Sequence, residues 1–196
     1  MRQWADSGAF HGLRTRALTL LVWGSALRLS EALALDIGQV LQRVPTNPRT
    51  IGKVRGTAYL RPSQSKGGHA AGAFVITKAA RDALRPYLLE GLRRGWIPVG
   101  DADAPLFVTA RGGGHQRVRK RAAQYAWERL QQRAGIRELY RFHDLRHDAM
   151  TRVSNRAGGD MFKVAAFGRL RDIRTTATYV HSDPVALAHL AELADS

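Results

Sequence analysis

The chain contains no cysteine among its 196 residues. Disulfide bonds and cysteine-ligated metal sites are therefore excluded, because both require thiol side chains. No apolar run reaches the roughly 18 residues that a bilayer-spanning helix needs. The first residues also lack the apolar centre of a signal peptide. Together these absences fit a protein of the cytoplasm.

Acidic side chains are also few. Sixteen Asp and Glu stand against 31 Lys and Arg, which gives a formal net charge of +15. Most of the basic residues are Arg, whose planar guanidinium pairs with phosphate oxygens. This balance predicts a polyanionic partner, and nucleic acid is the commonest one. Charge alone leaves a ribosomal-type protein or a membrane-surface protein open.

Hydrophobic periodicity predicts a mainly α fold with a small antiparallel β-sheet (α+β). Strands are expected at 57–61 and 73–77, as a hairpin around a Gly-rich turn. Pro86 is expected to kink a helix or mark its boundary. Ser30 is expected to cap a short helix that ends at Leu35. The other helices are expected at 13–27, 78–92, 115–134, 143–157, 160–167 and 174–181, with a tail helix after Asp183-Pro184.

Several short motifs carry residues suited to phosphodiester chemistry. Transfer of a phosphodiester gathers negative charge on the non-bridging oxygens, and two arginines can supply fixed positive charge there. Arg28 and Arg146 are the candidates, and Glu31 could orient Arg28. The motifs are Arg28-Leu29-Ser30-Glu31, Lys66 at the hairpin tip, His143-Asp144-Leu145-Arg146-His147, Gly168 followed by Arg174-Thr175-Thr176, and Tyr179-Val180-His181.

The remaining parts of such a reaction also have one candidate each. Tyr179 could attack phosphorus, provided that cations or a base offset the ordinary tyrosine pKa of about 10. The departing 5′ oxygen needs a proton, which Lys66 on a hairpin tip could donate. His143 could donate or accept a proton, or hold the phosphate.

The order Arg, Lys, His-x-x-Arg, Tyr resembles the catalytic domain of the tyrosine recombinases and phage integrases. LRLSEALAL resembles their first conserved motif, usually written G-L-R-x-S-E-L-x-x-L, and HDLRH and RTTATYVH resemble the two ends of their second motif. The resemblance runs from about residue 14 to 183. It implies a site-specific recombinase that cleaves and rejoins DNA without ATP, a metal ion or another cofactor.

The resemblance also implies a role for each candidate. Arg28 and Arg146 would clamp the scissile phosphate, and Tyr179 would form a 3′-phosphotyrosyl link. Lys66 would act as the acid, and His143 would assist proton transfer.

The sequence departs from the family at one position of the site. Family members usually carry L-G-H, or Trp in place of that His, nine residues before the tyrosine. Counting back from Tyr179 places Leu170 there, whereas alignment at Gly168 places Arg169 there with one residue inserted. Leu170 cannot hydrogen-bond a phosphate. We therefore predict that Arg169 faces the phosphate.

The resemblance further suggests how the chain is organised. We expect residues 1–183 to form the catalytic domain, and residues 184–196 to form a helical tail that docks onto a neighbouring protomer. The family's N-terminal DNA-gripping domain is not expected, because the first motif already lies at Arg28. The expected partner is double-stranded DNA, with a homotetramer assembled on paired sites.

Further basic residues could extend the DNA contact. We predict that Arg117, Arg119, Lys120 and Arg121 contact phosphates, although a solvated helix face would carry the same residues. His143 and His147 stand four apart, as zinc ligands can, but the glutamate of H-E-x-x-H and a third ligand are missing. We interpret His147 as a packing or phosphate-positioning residue and predict no metal site.

Three other functions remain open from the sequence. A type IB topoisomerase uses a similar set of Arg, Lys and Tyr. A DNA-binding protein with a degenerate recombinase site would also fit, because the usual His or Trp is missing. A metal-dependent nuclease would differ from both by losing all activity in a chelator.

Overall fold

The computed structural model describes residues 2–65, 71–110 and 113–170, with side chains from residue 9 onward. The described part is mostly helical and carries one two-stranded antiparallel sheet, which confirms the predicted fold class. Across these residues no helix has the length and apolar character needed to cross a membrane. The helices are α1 (Arg2–Ser25), α2 (Leu29–Ala34), α3 (Ile37–Val40), α4 (Lys78–Arg93), α5 (Lys120–Arg133), α6 (Phe142–Arg156) and α7 (Met161–Gly168), and the strands are β1 (Thr57–Leu60) and β2 (Gly72–Val75).

Helix α1 runs through the main hydrophobic core, where α4 packs along it. Tyr87 of α4 is fully buried, and its hydroxyl donates to the carbonyl of Leu106 and accepts from the amide of Val108, both at 3.0 Å. Burial raises the pKa of Tyr87 above its ordinary value, so the hydroxyl stays protonated and keeps donating. This pair of bonds ties α4 to the segment that precedes α5.

The two strands pair in the predicted hairpin, with Thr57 opposite Val75 and Leu60 opposite Gly72. Both strands end before the predicted positions, 61 and 77. The chain leaves β1 in a short 3₁₀ turn that begins at Pro62, a residue that has no backbone N–H to donate. After β2, Thr77 is the N-cap of α4, and its hydroxyl accepts from the amide of Ala80.

Helices α6 and α7 begin and end within one residue of the predicted bounds. The start of α5 was predicted wrongly at 115, and the helix begins at Lys120. The preceding residues are not helical because His115 has a left-handed backbone and Arg117 pairs with Val108 in an antiparallel bridge. The expected helix at 174–181 and the tail helix lie outside the described residues.

The N-terminal half holds four further corrections. Helix α1 begins at Arg2 rather than 13, and the four-residue α3 was not predicted, because it is too short to show a period. Pro86 lies inside α4, so its interpretation as a boundary was wrong. Ser30 lies inside α2 and is not its cap, since Arg28 occupies the N-cap position.

Candidate active site

The turn after α1 is the centre of the candidate site. Ala26 directly follows α1, is fully buried and has a left-handed backbone with φ of 47°. This conformation costs a residue other than glycine roughly 1–2 kcal/mol, so the surrounding packing must hold it. A small apolar cluster of Ala149, Met150 and Val164 from α6 and α7 surrounds it. The first family motif usually has glycine at this position, which suits the positive φ.

Arg28 and Glu31 form a tight pair at the start of α2. Nη1 of Arg28 lies 2.7 Å from Oε1 of Glu31, and the backbone amide of Arg28 donates to Oε2 at 2.8 Å. Glu31 is fully buried, whereas 41% of the Arg28 side chain is exposed. The Glu31 carboxylate therefore caps the N-terminus of α2, and it orients the guanidinium of Arg28, which is partly exposed to solvent.

Arg146 approaches the same turn from α6. It is only 3% exposed. Its Nη1 donates to the carbonyl of Ala26, and its Nη2 donates to the carbonyl of Gly168 at 2.9 Å. Arg146 thus joins the end of α1 to the end of α7. As the second predicted phosphate ligand, it lies at the turn that leads into Arg28, the first.

Arg169 follows α7 and turns toward the same carbonyls. Its Nη1 donates to the carbonyl of Ser25 at 3.3 Å, and its Nη2 donates to the carbonyl of Ala26 at 3.2 Å. Nη2 also lies 3.4 Å from Oε2 of Glu31. Burial lowers the pKa of Arg169, and the charge of Glu31 opposes that shift. That Arg169 faces a phosphate stays a prediction, since these contacts are with protein atoms.

The three arginines and one carboxylate therefore form one hydrogen-bonded cluster, which we call the arginine cluster: Arg28, Glu31, Arg146 and Arg169. Its acceptors include the last carbonyls of α1, at the negative end of the helix dipole, where cations are favoured. Three positive charges against one negative charge leave the cluster cationic. Such a cluster suits the developing charge of a phosphoryl transfer.

The two histidines lie beside this cluster on α6. His143 is exposed and stands one turn before Arg146, and His147 is half-buried. Both line a surface pocket with Tyr140 and Thr151. Nδ1 of His147 lies 3.5 Å from Oγ1 of Thr151. His143 is therefore accessible to solvent, one helical turn away from Arg146 of the arginine cluster.

A hydrogen bond between Trp23 of α1 and Asp148 of α6, which the sequence analysis did not predict, connects these two helices. Nε1 of Trp23 donates to Oδ2 of Asp148 at 2.6 Å, and Nε of Arg152 donates to the same oxygen at 2.9 Å. The Arg152 guanidinium carbon lies 3.8 Å from the centroid of the Trp23 ring. Burial works against ionisation of Asp148, but the bonds from Trp23 and Arg152 outweigh it and lower its pKa.

The predicted DNA-contacting residues fall into two groups. Arg117 donates to the carbonyls of Leu33 and Leu35 at 2.6 and 2.9 Å and to Asp36 at 2.6 Å. Its guanidinium thus supplies hydrogen-bond donors to carbonyls at the C-terminal end of α2. The second group consists of Arg119, Lys120 and Arg121, which are exposed at the start of α5. Within the described ranges, none of these three forms a salt bridge.

Two predicted site residues, Lys66 and Tyr179, lie outside the described residues. The cluster also depends on groups that the sequence analysis missed, namely the carbonyls of Ser25, Ala26 and Gly168. Any residue type can offer a main-chain carbonyl, so the sequence does not mark these acceptors. The one available clue was Ala26 itself, an alanine where the family's first motif has glycine.

Comparison with known proteins decides the family. Residues 3–185 match the model described as the phage integrase family. The chain belongs to this family. Among related phage integrase family proteins, it is 36% identical over 176 residues to tyrosine recombinase XerD of Ralstonia nicotianae, covering 90% of this chain and 51% of that protein. It is 31% identical over 182 residues to XerD of Caulobacter vibrioides, covering 92% and 53%. The chain thus spans about half the length of these relatives.

Solved structures of two recombinases share the fold. The XerH site-specific recombinase bound to its difH substrate before cleavage superposes with a TM-score of 0.68 at 21% identity, covering 96% of this chain and 48% of that one. The XerA recombinase gives a TM-score of 0.64 at 19% identity, covering 98% and 62%. At these identities the likeness establishes the fold alone.

Proposed function

We propose that this chain is the catalytic part of a site-specific DNA recombinase, which cleaves and rejoins DNA strands through a 3′-phosphotyrosyl intermediate. The observation that carries the proposal is the arginine cluster. Arg28 and Arg146 come from helices far apart in the chain, yet they are connected through Ala26, Arg169 and Glu31. Such a preorganised cation cluster stabilises the charge of a phosphoryl transition state.

The individual roles in this proposal are those that the resemblance to the tyrosine recombinases implies. Arg28 and Arg146 bind the non-bridging oxygens of the scissile phosphate, and the Tyr179 oxygen attacks phosphorus. The bond from phosphorus to the 5′ oxygen breaks, and Lys66 supplies the proton that the 5′ oxygen takes up. The Tyr179 hydroxyl loses its proton to solvent as the new bond to phosphorus forms, and His143, exposed on α6, assists this proton transfer. The energy of the broken bond is kept in the phosphotyrosyl link, so the reaction requires neither ATP nor a metal ion.

Double-stranded DNA is the substrate in this proposal. The net charge of +15 supports it. So does the XerH relative of known structure, which was solved bound to its difH substrate. We expect Arg119, Lys120 and Arg121 to bind backbone phosphates near the start of α5. We also expect the reaction to take place in the cytoplasm, where such a DNA substrate would be.

Assembly is part of the proposal. Recombination joins two duplexes and exchanges four strands, so we expect a homotetramer on paired sites, with residues 184–196 docking between protomers. A monomer that relaxes supercoiled DNA without a second site would instead indicate a type IB topoisomerase. Sedimentation of the chain on one site and on paired sites distinguishes these two assemblies.

A covalent-trapping experiment tests the proposed reaction. The chain is incubated with a library of nicked duplexes that hold randomised inverted repeats, in a buffer containing a metal chelator. Denaturing gels separate protein that has become linked to DNA, and sequencing of that DNA identifies the preferred site. We expect an adduct with the wild-type chain and none with Tyr179→Phe, while binding to the selected site is unchanged.

One observation favours a second candidate, a DNA-binding protein with a degenerate site. In the alignment at Gly168, Arg169 stands where the family usually has His or Trp, and its guanidinium is bound to the protein. If every DNA in the library is bound and none is linked to the chain, this second candidate replaces the first. Loss of all cleavage in chelator would instead indicate a metal-dependent nuclease.

A further inference from the structure

Arg169 is held in an orientation that points into the protein. It follows α7 with a left-handed backbone, φ 51° and ψ 47°, and its amide donates to the carbonyl of Ala166 at 3.2 Å. Only 5% of its side chain is exposed. The ring of the buried Phe74 of β2 lies beside the guanidinium, with 5.8 Å between the ring centroid and Cζ. Arg146 is buried as well, so burial alone does not separate the two arginines; the guanidinium of Arg169 also contacts a carboxylate, that of Glu31.

The charged partner of Arg169 is Glu31, which also binds Arg28. Oε2 of Glu31 accepts from the backbone amide of Arg28 at 2.8 Å and lies 3.4 Å from Nη2 of Arg169. Oε1 accepts from Nη1 of Arg28 at 2.7 Å. Burying a carboxylate is costly unless positive charge and hydrogen-bond donors surround it. Arg169 supplies both from the buried side, so Glu31 can hold Arg28 while that side chain reaches outward.

The exposures of the two arginines differ in the same sense. The side chain of Arg28 is 41% exposed, and that of Arg169 is 5% exposed, although both bind one carboxylate. Arg28 is therefore placed to meet a phosphate that arrives from solvent. Leu170, the other residue that could align with the family's His, packs against the small apolar cluster around Ala26 and Met150.

We propose that Arg169 is a positioning residue: it fixes Glu31 and the turn at Ser25 and Ala26, and through them the phosphate-binding arginines, without contacting the phosphate. The inference rests on the proposed function. It replaces the sequence-based prediction that Arg169 faces the phosphate, and it assigns Arg169 a different task from a His or Trp that donates to the phosphate. Its direct target is Arg28, through Glu31, and its second target is Arg146, through the shared carbonyl of Ala26.

The background in which Arg169 is substituted separates the two tasks. The full chain is assayed in single turnover on its selected site, with Arg169→Met made in the wild-type chain and in Arg28→Met. We expect Arg28→Met alone to lose on the order of 10²-fold in rate, because it removes a positive charge from the phosphate. We expect Arg169→Met to lose on the order of 10-fold in the wild-type chain and much less in Arg28→Met, since its main effect acts through Arg28.

The matched control is Arg93→Met. Arg93 is an exposed arginine of α4 that pairs with Glu90 three residues earlier, and we expect its substitution to leave the rate unchanged in both backgrounds. If Arg169→Met loses the same factor in Arg28→Met as in the wild-type chain, then Arg169 acts independently of Arg28 and the inference is overturned.

A double variant tests the route through Glu31. If Arg169 acts through Glu31, the rate losses of Arg169→Met and Glu31→Gln do not multiply, and the double variant is as slow as the slower single variant. Multiplying losses would overturn this route. Should Arg169→Met fail to fold, Arg169→Lys, which keeps the charge and loses the fork of donors, is used in both assays. A wild-type chain that cleaves no DNA of the library would overturn the proposed function itself, and the inference with it.

Discussion

Arg146 of α6 donates a hydrogen bond to the carbonyl oxygen of Ala26, which lies 120 positions earlier in the chain. That carbonyl is available because Ala26 adopts a left-handed backbone directly after α1. Arg169 donates to the same oxygen. The geometry of the candidate site therefore depends on one strained turn as much as on the charged side chains that meet there.

Replacing Arg146 should affect stability and cleavage together. Arg146→Ala removes the side-chain donor to the carbonyl of Gly168 and one of the two guanidinium donors to the carbonyl of Ala26, which should cost about 1–3 kcal/mol for the buried group left unpaired. Its loss from the transition state should slow cleavage on the order of 10²-fold or more. Urea unfolding and single-turnover cleavage of a trapped substrate measure the two effects. A folded Arg146→Ala variant that cleaves at the wild-type rate would show that Arg146 is purely structural.

The close approach of α7 to α6 can be tested at Gly168. A Cβ atom at this position would lie 2.6 Å from Sδ of the buried Met150, so Gly168→Ala must displace that side chain. We expect a destabilisation of about 1–3 kcal/mol, as for other overpacked cores. Gly12→Ala in α1 is the matched control, because nothing lies within 4 Å of its Cβ. It should instead stabilise the chain by about 0.5–1 kcal/mol. Equal changes for the two variants would contradict the packing described for Gly168.

The basic residues near α5 should divide by function. Arg117→Ala removes donors from Leu33, Leu35 and Asp36, so we expect about 1–3 kcal/mol lower stability in urea unfolding. Arg119→Ala, at an exposed position, should change stability by less than about 0.5 kcal/mol.

The exposed residues Arg119, Lys120 and Arg121 should affect DNA binding instead of stability. If Arg119 contacts a phosphate, Arg119→Ala should lower the slope of log affinity against log salt by about 0.9. Lys120→Ala and Arg121→Ala should each do the same. Fluorescence anisotropy with a labelled duplex over a salt series measures these slopes. Unchanged slopes in all three variants would place the DNA on another face.

The bond from Trp23 to Asp148 predicts a dependence of stability on pH. The pKa of Asp148 in the folded chain lies below its ordinary value of 3.8, so its ionised form stabilises the fold above that value. The contribution is lost as pH falls through the lowered pKa. Wild type should therefore be more stable than Asp148→Asn near neutral pH, and the difference should shrink below about pH 4.

Urea unfolding at a series of pH values checks this difference, with Trp23→Phe as the companion variant. Trp23→Phe removes one donor to Asp148, so its own loss of stability should also shrink in acid. Parallel stability curves for wild type and Asp148→Asn across the acid range would show that the folded chain does not favour the charged form.

The sequence predicted the helical elements near the site better than the site's connections. Helices α6 and α7 follow the helical period and have conventional ends, so their bounds were predicted to within a residue. The residue types of the arginine cluster were also predicted, because the family motifs contain them. The inward direction of Arg169 could not be predicted, since it depends on the left-handed turns at Ala26 and Arg169 and on a carboxylate 138 positions away.

The identity of the linked residue tests the central claim most directly. The last Lys or Arg of the sequence is Arg174, so trypsin should release residues 175–196 as one peptide whose single tyrosine is Tyr179. After wild-type chain has been trapped on DNA and digested with nuclease and trypsin, mass spectrometry should find a nucleotide remnant on Tyr179 of this peptide. A remnant on another residue, such as the exposed Tyr140 beside His143, would contradict the account.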